Sequence, residues 1–195
     1  MTEKFIRSGE EHLMFNKEHL PYQLKDFWKW STSDILSNAT RGKFAEFLVA
    51  TATNIDLSKP REEWAPYDLL TLEGIKIEVK SSAYFQSWEQ KTLSKISFSI
   101  KPAYCWNYEL NQYSKTKARY ADVYVMCLLK TTDRELVNPL DTAQWLFYVV
   151  SVEVLNSYKR SQTSITLKSL ESLTNPVTYN ELHAEINRKS KSKTE

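Results

Sequence analysis

Asp68, Glu78 and Lys80 are of the types, and at the spacing, to hold a hard metal ion beside a phosphate. They fall in YDLLTLEGIKIEVKSS, residues 67–82. Alternate residues of an extended strand face opposite ways, so Ile75, Ile77 and Val79 share one face and Lys76, Glu78 and Lys80 the other. Whether Asp68 joins them depends on the hairpin's register. A two-residue turn at Glu73-Gly74 pairs Asp68 with Val79 and sends the carboxylate to the face opposite Glu78. A three-residue loop, Leu72-Glu73-Gly74, pairs Asp68 with Glu78. The second register places glycine where the loop needs a left-handed backbone and gathers Leu69, Ile75, Ile77 and Val79 on one face, so it is the one expected. Opposed carboxylates repel, and Mg²⁺, which prefers oxygen ligands, compensates well. The competing reading is a solvated face on which lysines neutralise the acids.

The elements that must position these residues follow from the flanking pattern. Ser31 and Asp34 resemble a helix-opening box, and the apolar spacing predicts one helix over about 32–53, weakest at Asn38 to Gly42. Glu46 lies on a stripe with Ala39, Gly42, Val49 and Ala50, whose small side chains allow a close approach to a sheet. A helical glycine costs about 1 kcal/mol relative to alanine, which predicts a packing or functional reason for Gly42. The plainer alternative is an exposed Glu46 paired with Lys43 or Arg41. FWKW at 27–30 reads as a short helical or docking segment, and LSKPREEWAP as a loop. KISFSI (95–100) alternates as a strand, DVYVMCLL (122–129) as a strand buried on both faces, and WLFYVVSVEVL (145–155) as another long strand. A helical turn is expected near Asn111 to Lys117. Thr178 and Glu181 form a capping box for a helix over YNELHAEINRK. One helix followed by strands with intervening helices is an α/β pattern around one mixed sheet.

The bulk numbers exclude little. The chain has 195 residues, 42% hydrophobic and 26% charged, which suits one soluble domain. A net charge of +2 permits nucleic acid without demanding it. Cys105 and Cys127 lack zinc-site spacing, and His12, His19 and His183 are assigned surface or packing roles. No apolar run approaches the roughly 20 residues that span a bilayer, and MTEKFIRSGEEHL lacks the apolar core of a signal peptide. The expectation is a cytoplasmic protein with no membrane partner.

RGKFAEFLVA, then APYDLL, then IKIEVKSS resembles the PD-(D/E)xK nuclease superfamily, the restriction-endonuclease-like fold, over residues 31 to 130. One departure is Pro66-Tyr67-Asp68, where a residue separates the motif's proline from its aspartate. The resemblance implies an α/β, restriction-endonuclease-like single domain, with a central mixed β-sheet flanked by helices. Residues 1–30 would be an N-terminal segment packed on the core, 31–155 the nuclease-like core, 156–189 a C-terminal helical extension and 190–195 a disordered tail. It also implies metal-dependent phosphodiester hydrolysis with Mg²⁺, Mn²⁺ substituting, on nucleic acid, with DNA preferred over RNA. Asp68, Glu78 and the Val79 carbonyl would hold the ion, Lys80 would orient water or stabilise the transition state, and Glu46 would sit just outside the ion's own ligands or help hold a second ion. Ser82, Gln86, Lys95, Lys101 and Arg119 are candidate substrate contacts, with Ser81, Trp88, Ser97, Ser99, Lys115 and Lys117 beside them. Family analogy allows a homodimer. The alternative function is a catalytically silent nucleic-acid-binding or protein-interaction module on the same fold.

Overall fold

The computed structural model describes residues 6–61, 65–107 and 111–191. It opens with β1 (His12–Phe15), β2 (Glu18–Gln23) and α1 (Leu24–Thr32), which takes in FWKW. Neither of the two apolar clusters contains a residue of this unit, and β1 is exposed along its whole length. Local bonds hold the unit instead. Gln23 and Asp26 cap α1 reciprocally, Lys25 pairs with Glu10 at 2.8 Å, and Gly9 at φ +92° lies so close to Trp28 that a Cβ would come within 2.7 Å of the ring.

The single helix expected over 32–53 is two. Asp34 Oδ1 accepts from the N–H groups of Leu36 and Ser37 at 3.1 and 3.3 Å, closing a turn. Helix α2 (Asn38–Ala52) then starts afresh, with the Ser37 hydroxyl as its cap. Its buried residues are Arg41, Ala45, Leu48, Val49 and Ala50. The expected close approach at Gly42 is corrected: a Cβ there would meet nothing within 4 Å.

After α2 come β3 (Leu69–Leu70), β4 (Lys76–Ala83), β5 (Ser97–Ser99), β6 (Trp106–Asn107), β7 (Gln112–Tyr113), β8 (Val123–Leu129) and β9 (Trp145–Ser151). The chain ends with α3 (Val152–Ser157), β10 (Ser164–Thr166), α4 (Leu167–Glu171), β11 (Pro176–Val177) and α5 (Leu182–Ser190). The central sheet is mixed, in the order β11-β9-β8-β4-β3, with β4 and β8 parallel and β8 and β9 antiparallel. Every residue of β8 is buried, as its unbroken apolar run requires.

Three local expectations are corrected. β5 leaves the central sheet to pair with β10. Asn111 to Lys117 is not a helical turn: β6 and β7 pair as a hairpin, Trp106 stacks edge-on against Tyr113 at 4.9 Å, and Asn111 is left-handed at φ +48°. The strand over 145–155 stops at Ser151, whose hydroxyl accepts from the Val154 N–H and opens α3. The capping box of Thr178 and Glu181 forms. In the C-terminal part, Leu182 and Ile186 lie in one apolar cluster and Ile165 and Leu170 in the other. Of the expected tail, Ser190 ends α5, while 192–195 fall outside the described residues. Both cysteines are free. Among the described residues no helix is long and apolar enough to cross a membrane.

The two clusters cover the two faces of the sheet. Ile77, Val79, Val125 and Phe147 pack under Ala45, Leu48 and Val49 of α2 and Leu182 and Ile186 of α5. Tyr124, Met126 and Tyr148 pack on the other side with Ile96, Phe98, Ile165 and Leu170. Glu78 and Lys80 have the parity of this second face, opposite Tyr124 and Met126 in the β4–β8 ladder.

Since Gly42 touches nothing that a methyl group would disturb, Gly42→Ala is expected to raise the unfolding free energy by about 0.5–1 kcal/mol. Urea unfolding measures it, and a loss of stability would contradict this description of α2.

Candidate active site

The site is built on the β3–β4 hairpin, which closes in the three-residue register. Leu69 pairs with Ile77 and Leu70 with Lys76, and just before the paired residues Asp68 reaches the same Lys80 ammonium as Glu78. Gly74, at φ +82°, takes the left-handed position, its N–H donating to the Thr71 carbonyl at 3.0 Å, and the Thr71 N–H donates to the Ile75 carbonyl at 3.0 Å. The ladder then changes character. The Asp68 N–H donates to the Ile77 carbonyl at 3.0 Å, while its Oδ2 accepts from the Val79 N–H at 2.7 Å. A side-chain carboxylate thus stands where the next strand residue would bond. A strand residue's N–H and C=O leave on the same side, so the Val79 carbonyl also turns toward this edge.

Five charged side chains alternate in sign along the edge. Arg61 Nε lies 2.5 Å from Glu46 Oε2, and its Nη2 lies 3.8 Å from Asp68 Oδ1. Lys80 Nζ lies 3.8 Å from Asp68 Oδ2 and 2.5 Å from Glu78 Oε1. The sequence of contacts is Glu46, Arg61, Asp68, Lys80, Glu78: three acids and two bases. The acids are largely covered, with side-chain exposures of 14% for Glu46, 20% for Asp68 and 21% for Glu78. Burial raises the Glu78 pKa above its ordinary 4.5, against the opposing pull of Lys80. Burial likewise raises that of Glu46, against its hydrogen bond with Arg61. Desolvation, helped by Glu78, pushes the Tyr124 phenol up to about 12, so that neighbour stays neutral at physiological pH.

Glu46 reaches the site by an unexpected path. Helix α2 packs on the Ile77–Val79 face, opposite the face of Glu78 and Lys80, so its acid does not lie over their side of the sheet. It meets them across the sheet's outer edge, where β3 is only two residues long. Arg61 makes the connection. Sequence reasoning missed this arginine, because its loop carries no periodicity; its only signal was a cation in a charged, proline-bounded stretch near Asp68.

The substrate contacts proposed from sequence divide. Gln86 is buried and internal: its Oε1 accepts from Arg41 at 3.3 Å, and its Nε2 donates to the Ala83 carbonyl and the Ser94 hydroxyl. Arg41, 4% exposed, also donates to the Leu36 carbonyl at 2.9 Å and Asn38 Oδ1 at 2.6 Å. It locks the start of α2 to the end of β4. Arg119 is another latch, holding the Ile100 carbonyl, Asn156 and Gln162. Ser82 is buried and Ser81 half-buried. Lys95, Ser97, Ser99, Lys101, Lys115 and Lys117 are exposed, as is Trp88. Lys117 rests over the Tyr104 ring at 5.1 Å.

The donors at the edge are all oxygens, the kind hard divalent cations prefer. They are held apart by the two bases, and among the described residues no three His, Cys, Asp or Glu side chains converge as ligands on a common point. A cation entering between Asp68 and Glu78 would therefore displace Lys80 from one or both.

Residues 10–169, well over half of the chain, match the family described as bacteriophage T4 endonuclease IV. A solved structure titled as a bacterial homing endonuclease, I-Ssp6803I, is 21% identical over 82% of this chain and 99% of its own, with a TM-score of 0.44. No curated protein matches the sequence. By the extent of the first of these matches, the chain belongs to the bacteriophage T4 endonuclease IV family, a family of nucleases.

Proposed function

We propose that this protein is a divalent-metal-dependent DNA endonuclease of the PD-(D/E)xK kind, with its active site at the outer edge of β4. The observation that carries the reading is the meeting of the Asp68 and Glu78 carboxylates at one ammonium, that of Lys80. Two carboxylates on one face are costly unless a cation answers them, and the family is one of nucleases. Asp68, Glu78 and the Val79 carbonyl would hold Mg²⁺ or Mn²⁺, with Glu46 behind Asp68. The donor set fits the ion in chemistry, and the fit requires the Lys80 ammonium to move off the carboxylates. When bound, such an ion supplies charge neutralisation at the phosphate and a lowered water pKa.

The chain's own residues do the rest. The Val79 N–H holds Asp68 Oδ2 in place, so this carboxylate enters the reaction already oriented. Lys80, released toward the phosphate, donates hydrogen bonds to the oxygen on which charge develops, and such donors act most strongly where water is scarce. In the hydrolysis a water oxygen bonds to phosphorus, the bond to one ester oxygen breaks, and that oxygen takes a proton. DNA would be gripped beside the site by the β6–β7 arm. Lys101, Lys115 and Lys117 are exposed on and beside it, whereas Arg119 is held by internal bonds. Tyr104 and Tyr113 are exposed there, and both phosphate contact and base stacking suit such a surface. The arm returns next to Glu78: the Asp122 N–H donates to the Lys76 carbonyl at 2.8 Å.

Supercoiled plasmid incubated with Mg²⁺ or Mn²⁺ is expected to be nicked, with EDTA abolishing the reaction. Lys80→Ala should slow nicking by about 10²–10³-fold, the usual loss for one transition-state donor. Nicking that survives the substitution would place the chemistry elsewhere. DNA binding with no metal-dependent cleavage would favour the catalytically silent module.

Protons compete with the ion for Glu78 and Glu46, and both titrate above 4.5 because they are buried. As pH falls, the Mn²⁺ concentration for half-maximal nicking should therefore begin to rise while the pH is still above 4.5. A requirement that stays flat down to that value would contradict the assignment.

A further inference from the structure

The alternating charges at the edge give Arg61 a part to play in loading the site. Its guanidinium bridges Glu46 and Asp68, the pair on the far side of Asp68 from Lys80. Asp68 is the shared member: one oxygen faces Arg61 at 3.8 Å, the other faces Lys80 at 3.8 Å and accepts from Val79 at 2.7 Å. An ion that takes Asp68 must weaken the hold of Arg61, because both draw on the same carboxylate charge. Arginine also has the planar fork that matches phosphate oxygens. Its side chain is about one-third exposed (34%), against 14% for Glu46, so the fork has a way out toward a ligand that the buried acid lacks.

We propose that Arg61 couples metal binding to substrate binding. In the metal-free protein it neutralises Glu46 and Asp68 and lowers the site's affinity for divalent ions. A nucleic-acid phosphate at the edge draws the guanidinium away, which frees Asp68 for the ion. Each ligand then strengthens the other, as linkage requires. The inference rests on the reading that Asp68 and Glu78 hold the ion.

The test is calorimetric titration with Ca²⁺, a hard oxygen-seeking ion, with and without a short DNA duplex. Arg61→Ala should bind Ca²⁺ about fivefold or more tightly without DNA, and adding DNA should improve its affinity less than it improves that of the native protein. Circular dichroism checks folding, and Arg61→Gln serves the same purpose should the alanine variant unfold. Unchanged or weaker Ca²⁺ binding by a folded Arg61 variant overturns the coupling. Asp68→Ala separates the two layers. If it binds Ca²⁺ as well as the native protein does, or if the native protein binds none, the metal reading itself fails and the coupling with it.

Discussion

The hairpin between β3 and β4 brings Asp68 to the same ammonium as Glu78 only because the third residue of its loop takes a left-handed backbone, and Gly74 is there to take it. A two-residue turn would shift the pairing by one and carry Asp68 to the far face, since side chains alternate along a strand. The apolar residues enforce the same choice. Leu69 packs with Ile77 and Val79 in the cluster beneath α2, and a shift of one residue would turn Leu69 out of it and Asp68 toward it. The cost of burying a misplaced charge in that core thus protects the geometry of the polar edge on the other side.

Electrostatics then shapes what the register has assembled. Three carboxylates are brought within reach of one another and largely screened from water, an arrangement that repels itself. Lys80 and Arg61 answer two of the three charges by inserting between them, while burial holds the pKa values of Glu46 and Glu78 above their ordinary range, with the Asp68 charge adding a smaller upward push. The result is an edge on which every acid contacts a base. It is also held open at one side, because β3 is short and the Asp68 carboxylate, rather than another strand, meets the Val79 N–H.

Much of this was legible in the sequence, and the reasons are specific. Period-two alternation in IKIEVK and the single glycine in its turn were enough to derive the register, because both are local. The buried run at 122–129 announced a central strand for the same reason. What could not be read was set by contacts distant in sequence or by competing caps. Ser37 rather than Ser31 opens α2, because Asp34 ties its own backbone into a turn. Ser151 ends a strand whose apolar pattern runs on into α3. Arg61, Arg41 and Gln86 acquire their roles only when α2, the loop before β3 and the end of β4 meet. Gln86 and Arg119 looked like substrate contacts by type, yet both are spent on internal bonds. Gly42, read as a packing contact, faces open space.

The measurement that bears most directly on the account is anomalous diffraction from crystals of the native protein soaked in Mn²⁺. An anomalous peak is expected between the Asp68 and Glu78 carboxylates, near the Val79 carbonyl, with the Lys80 ammonium moved aside. A saturating soak that leaves this position without a peak, or places manganese only elsewhere on the molecule, would contradict the claim that the paired carboxylates hold a divalent ion.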